Sequence, residues 1–95
     1  MEFEFTNPIF EWRGPAPFFY IELPEEIAAE ISAMSKQLTY GWGVIPVEAT
    51  IGKTPYTTSL FPKNGGYLLG VKTIVREPEK LKLGDSPKVT LRINF

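Results

Sequence analysis

The chain has 95 residues, 43% hydrophobic and 22% charged, a net charge of −1, and neither cysteine nor histidine. That is the balance of one globular domain with a single core. Disulfides, thiolate catalysis and cysteine-ligated metals are excluded, and with histidine go the commonest general base and the commonest metal ligand.

No run approaches the roughly 20 consecutive apolar residues of a membrane span. The start, Met1-Glu2-Phe3-Glu4-Phe5, is acidic where a signal peptide would be basic. A cytoplasmic protein with no membrane contact is therefore expected.

In chain order, Glu2 to Thr6 alternates polar residues with Phe, the period of a half-buried strand. Pro8 interrupts it and marks an edge or bulge before extended structure resumes over Ile9 to Arg13. Gly14-Pro15-Ala16-Pro17 reads as a turn, and the unbroken run Phe18 to Leu23 suits a central strand. A helix is expected from Pro24, which suits a first helical position, with Glu25 and Glu26 complementing its N-terminus. Ile27, Ile31, Met34 and Leu38 share one face of it, and Lys36 lies near its end.

Tyr40-Gly41-Trp42-Gly43 reads as a turn region, followed by a strand over Val44 to Ile51 whose pairing is incomplete around Pro46. A Gly52-Lys53 turn leads into a hairpin strand. Asn64-Gly65, the dipeptide best suited to positive φ, turns the chain back into Tyr67 to Val71. About two helical turns are expected over Val71 to Glu77, with Val71, Ile74 and Val75 inward and Pro78 stopping the helix. Val89, Leu91, Ile93 and Phe95 alternate with Lys88, Thr90, Arg92 and Asn94, so a last strand runs to the final residue. The fold class is mainly β and antiparallel, one covering helix and a short second helix, in a single domain over residues 1–95.

Charge is distributed unevenly. Residues 1–50 hold eight acids against Arg13 and Lys36, a net of −6, while residues 51–95 hold eight bases against Glu77, Glu79 and Asp85, a net of +5. Strands of opposite sign can pair across a sheet, each pair giving some tenths of a kcal/mol. Alternatively, a basic face receives an anion.

Catalytic chemistry is sparse. Thr58 and Ser59 lie on the hairpin strand and Lys72 stands near in sequence. A Ser–Lys pair needs a lysine held neutral by burial, at roughly 4 to 5 kcal/mol, and nothing in the sequence demands it. Carboxylates are scattered, and Asp85 suits a turn. Gly52-Lys53-Thr54 matches the tail of a phosphate loop, but Val47 stands where that motif requires its upstream glycine.

The pattern that remains is cations near aromatics: Arg13 beside Trp12, Lys63 beside Phe61, and Lys72 four residues before Arg76. Basic residues interleaved with exposed aromatics bind anions or nucleic acid. The alternative is that Trp12, Trp42 and Phe61 are core and the cations are solvated.

A family resemblance spans nearly the whole chain. Glu11-Trp12-Arg13-Gly14-Pro15-Ala16-Pro17-Phe18-Phe19, Leu23-Pro24-Glu25-Glu26 and residues 40–47 resemble the domain of unknown function 1905 family, DUF1905. Thr58 to Lys63, Gly65-Gly66-Tyr67, Lys72, Arg76 and Leu83-Gly84-Asp85 continue the match in order. The resemblance implies a small antiparallel split β-barrel with a covering helix, similar in outline to the AbrB/MazE-like double-split barrels. It supplies no activity and no catalytic residues. In some relatives the domain is joined to a region resembling bacteriocin-protection proteins. Glu77-Pro78-Glu79 and Ser86-Pro87 depart from the family's usual pattern.

The reading is a non-enzymatic binding or interaction module with no cofactor and no metal, able to self-associate as a homodimer through edges marked by Pro8 and Pro46. A second reading is anion or nucleic-acid binding through Arg13, Lys63, Lys72 and Arg76. The slightly acidic balance favours a small anionic ligand or a protein partner over nucleic acid, and a small-molecule enzyme is the weakest reading. Candidate binding residues are Trp12, Arg13, Ser59, Lys63, Tyr67, Lys72 and Arg76.

Overall fold

Alternating residues place one apolar row on each strand, and a single curled sheet buries those rows against a helix. The computed structural model describes residues 1–12, 18–34 and 44–93. Strands β1 (Glu2–Thr6), β2 (Ile9–Trp12), β3 (Phe18–Glu22), β4 (Ile45–Ile51), β5 (Thr54–Lys63), β6 (Gly66–Gly70) and β7 (Lys88–Arg92) form one seven-stranded sheet in the order β1-β7-β4-β5-β6-β3-β2. Every neighbouring pair is antiparallel.

The two outermost strands, β1 and β2, are consecutive in sequence, joined only through Asn7 and Pro8. The sheet therefore curls into a half-barrel. The Ile9 N–H donates to the Asp85 carbonyl, and the Gly84 N–H donates to the Ile9 carbonyl, each at 2.9 Å. The turn before β7 thus covers the start of the β2 edge, which would otherwise present unpaired backbone groups. The expected strand over Ile9 to Arg13 ends at Trp12 among the described residues. Arg13, the turn at 14–17, residues 35–43 with Lys36, Leu38 and Trp42, and Asn94 and Phe95 lie outside them.

Ile9, Ile21, Ile45, Ile51, Leu60 and Leu91 are among the side chains wholly enclosed by the curl. Helix α1 (Glu25–Ala33) packs Ala28 and Ile31 against β6, with Ile27 partly buried on the core. Burying a side chain the size of Ile31 stabilises by about 1.5 to 3 kcal/mol. Pro24 has ψ 147, so it caps the helix instead of opening it, and its carbonyl accepts the Ala28 N–H at 2.9 Å. The last turn closes where the Met34 N–H meets the Ile31 carbonyl at 3.0 Å. α1 itself ends at Ala33, and the expected continuation of its apolar face to Leu38 lies outside the described residues.

Pro46 lies beyond the stretch of β4 that pairs with β7, which runs from Glu48 to Ile51. Its missing N–H therefore costs no ladder bond on that side. Two expectations need correction. The run at Phe18 to Glu22 is not a central strand: β3 is second from the sheet's end, Ile21 is its one buried residue, and Phe18 is 56% exposed. Its aromatics occupy both faces.

The second correction concerns α2 (Thr73–Arg76), shorter than expected, with Val71 and Val75 buried but Ile74 67% exposed. One short turn can bury only one narrow stripe, and Val75 takes it. Pro78 does not force Glu77 out of helical geometry, for Glu77 keeps φ −68 and ψ −55. The winding continues until Lys80, at φ 53, breaks it. The Leu81 N–H then donates back to the Arg76 carbonyl at 3.0 Å, a left-handed closure of the kind that ends helices.

Part of the charge asymmetry is taken up within the sheet. β1 lies beside β7, and Arg92 meets Glu2 at 3.2 Å while Lys88 meets Glu4 at 3.1 Å. Among the described residues, no helix is long and apolar enough to cross a membrane.

A cationic and aromatic groove as the candidate functional site

Sharp turns position the site. Asn64 (φ 51) and Gly65 (φ 80) both take positive φ in a two-residue hairpin turn, which sets Lys63 opposite Gly66. β6 then pairs with β5 only as far as Leu69 opposite Leu60. Beyond that point the backbone ladder continues on the β3 side: Gly70 stands opposite Tyr20, and the Val71 N–H donates to the Phe19 carbonyl at 2.9 Å. α2 follows at once and packs beside β5. The first half of β5 is thus flanked by a helical turn where a strand would otherwise continue.

The space between them is a groove of about 1260 Å³. Phe18, Phe19, Tyr20 and Phe61 give it aromatic walls; Thr57, Thr58, Ser59 and Thr73 contribute hydroxyls; Lys72 and Arg76 supply positive charge. No carboxylate lines it among the described residues. Gly70 keeps the floor low, since a Cβ there would sit 2.8 Å from Thr58 Oγ1. The buried Tyr56 hydroxyl donates to the Gly70 carbonyl at 2.9 Å, and burial pushes its pKa well above the usual tyrosine range.

Arg76 is held on two sides. Its guanidinium carbon lies 3.9 Å from the centre of the Phe19 ring, and one terminal nitrogen donates to Thr73 Oγ1 at 3.0 Å. Its Nε is buried without a hydrogen-bond partner among the described residues. A buried N–H left in that state costs about 1 to 3 kcal/mol.

A smaller pocket adjoins the groove and shares Tyr20 and Phe61 with it. There Lys63 Nζ lies 3.4 Å from the centre of the Trp12 ring. Tyr20 meets Phe61 edge to face at 5.8 Å and tilts against Phe18 at 6.4 Å and Phe10 at 6.2 Å. The rings form one aromatic strip across the outer face of β2, β3 and β5.

Of the residues singled out from sequence, Ser59, Lys72 and Arg76 line the groove, and Trp12 and Lys63 line the adjoining pocket. Trp12 and Phe61 are 41% and 37% exposed, so the reading that they are core is overturned. Tyr67 points the other way: it is buried in the core, with its carbonyl accepting the Leu23 N–H at 3.0 Å. Arg13 lies outside the described residues. Lys63 rests on Trp12, not on its neighbour Phe61.

The residues that sequence reasoning missed are Phe18, Phe19, Tyr20, Thr57 and Thr73. Unbroken aromatic character at 18–20 was the available signal, because an aromatic pair on the outer face of a strand is unusual for a purely structural role. No metal-holding cluster of acidic residues occurs among the described residues.

A family profile described as Domain of unknown function (DUF1905) matches residues 5–91, from within β1 into β7. The chain has no match among curated proteins. The matched span includes the hairpin turn, both aromatic walls and the two groove cations, so the protein that carries this groove belongs to the DUF1905 family.

Proposed function

We propose that this protein is a non-enzymatic binding module whose groove takes up a small anion against Arg76 and Lys72. One observation carries the reading: the Arg76 guanidinium is fixed by Phe19 and Thr73 with Nε buried and unpartnered, in a groove lined by no carboxylate among the described residues. A carboxylate or phosphate oxygen in the groove can accept from the terminal N–H groups of a guanidinium held in this way, in a charge-assisted bond. Lys72 strengthens the attraction, and the hydroxyls of Ser59 and Thr57 offer further donors. Support for a non-enzymatic role is chemical: the chain has no Cys or His, and among the described residues the groove lining offers no carboxylate as a general base.

Titration of the 15N-labelled protein at low ionic strength with carboxylates and phosphates tests this. Saturable amide shifts are expected at residues 56–59 and 70–76, and they should disappear in Arg76→Gln. Unchanged spectra across the whole panel would remove the reading.

The exposed Trp12, Phe18 and Phe61 favour a second reading, self-association as a homodimer across the aromatic strip. Light scattering from micromolar to millimolar protein decides it, and a monomer throughout that range excludes it.

A further inference from the structure

Resting on the anion-binding reading above, we infer that the groove is shaped for an aromatic acid: an organic anion whose carboxylate or phosphate sits at Arg76 and Lys72 while a planar ring lies among Phe18, Tyr20 and Phe61. A site for a bare anion needs donors and charge, which Arg76, Lys72 and the hydroxyls provide. It does not need ring faces. Phe18 and Phe61 nevertheless stand 56% and 37% exposed at the groove, although burying them would stabilise the fold.

The ring geometry fits an arene in particular. Tyr20 stands at 78° to Phe61 and at 44° to Phe18, so the strip presents both edges and faces. A ring laid on the strip can therefore meet an edge-to-face partner and an offset-stacking partner together, the two arrangements favoured by the ring quadrupole. Gly70 contributes by omission: its missing side chain leaves Phe61 Cε2 and Thr58 Oγ1 as the nearest atoms at the floor. Lys72 and Arg76 stand at the α2 side of the groove, and the aromatic strip runs away from them toward Trp12, whose ring Lys63 already covers. That polarity orients a ligand with one charged end and one flat apolar end.

The experiment is a calorimetric and NMR comparison at low ionic strength of acetate, cyclohexanecarboxylate, benzoate, inorganic phosphate, phenyl phosphate and benzyl alcohol. Benzoate and phenyl phosphate are each expected to bind about tenfold or more tightly than acetate and inorganic phosphate respectively. Benzyl alcohol should not bind measurably, and cyclohexanecarboxylate should fall between acetate and benzoate. The ratio of benzoate to phenyl phosphate affinity tells a carboxylate site from a phosphate site.

Phe61→Leu keeps an apolar surface at an exposed position but removes the ring. It should lower benzoate affinity severalfold and by a clearly larger factor than acetate affinity, with an amide spectrum that confirms an intact fold. Benzoate binding no tighter than acetate, or no tighter than cyclohexanecarboxylate, overturns the aromatic inference and leaves the anion site standing. Failure of every anion to bind removes both.

Discussion

The two halves of the sheet share one inner face but have opposite outer faces. On β1, β7 and β4 the outward positions include Glu2, Glu4, Glu48, Thr50, Lys88, Thr90 and Arg92, and acids there meet bases at 3.1 and 3.2 Å. On β2, β3 and β5 they include Phe10, Trp12, Phe18, Tyr20 and Phe61, and Lys63 rests on the Trp12 ring. Position in the barrel does not account for the difference, because both faces are exposed to water. Two ion pairs form within the first half, while the second half keeps apolar surface and a cation whose Nε has no partner among the described residues. The anion site proposed above lies in the half that leaves apolar surface and a donor unsatisfied.

Core truncation should not distinguish the halves. Leu91→Ala on the charged side and Ile21→Ala on the aromatic side remove wholly enclosed side chains. Each is expected to cost about 2 to 5 kcal/mol in urea denaturation. A much smaller cost for Ile21→Ala would show that the aromatic half is loosely packed, and the outer-face contrast would then reflect packing instead of binding.

Gly70→Ala probes the groove floor. The new Cβ meets Thr58 Oγ1 at 2.8 Å, and Thr58 is itself buried. Overpacking of this kind costs about 1 to 3 kcal/mol. Amide shift changes should concentrate at residues 56–61 and 70–76, with β1 and β7 undisturbed.

Tyr56 gives a pH test. Its folded-state pKa is raised by burial above the unfolded value of about 10. The folded state therefore holds this proton more tightly than the unfolded chain does. The associated stability is present below about pH 10 and is lost as the pH rises from there toward the higher folded value. Denaturation midpoints of the wild type should fall over that alkaline range. Tyr56→Phe should cost about 1 kcal/mol at neutral pH for the lost bond to the Gly70 carbonyl, and should flatten the alkaline fall. An unchanged alkaline slope would assign that fall to other groups.

Much of this was readable from residue order because it depends on local rules. Asn64-Gly65 demanded a turn with two positive φ angles, and Val89, Leu91 and Ile93 demanded one buried face, whatever their neighbours. The family resemblance was equally legible, carried by motifs in order. The site was not. Arg76 finds Phe19 from 57 positions away, through the register of β3 on β6 and the early exit of β6 from its pairing with β5. No spacing in the sequence encodes that meeting. Tyr67 was misread for a different reason. It stands two residues before the wholly buried Leu69 and so shares its face, an inference that strand alternation alone would have supported.

The smallest effect is the most direct test of the contrast. Glu2 and Arg92 face each other at 3.2 Å with side chains 53% and 61% exposed, where an ion pair is worth a few tenths of a kcal/mol and at most about 1. A double-mutant cycle of Glu2→Gln and Arg92→Gln should return a coupling of that size at low salt, decaying toward zero at about 1 M salt, where the Debye length is near 3 Å. Lys63→Gln removes a cation held 3.4 Å above Trp12, a contact also worth about 0.5 to 1 kcal/mol at an exposed site. Its loss should change Trp12 fluorescence, whereas the Glu2–Arg92 cycle should not. If Lys63→Gln leaves that fluorescence unchanged, Lys63 does not rest on the ring in solution, and among the described residues the aromatic half then keeps only Arg76 as a cation held by a ring.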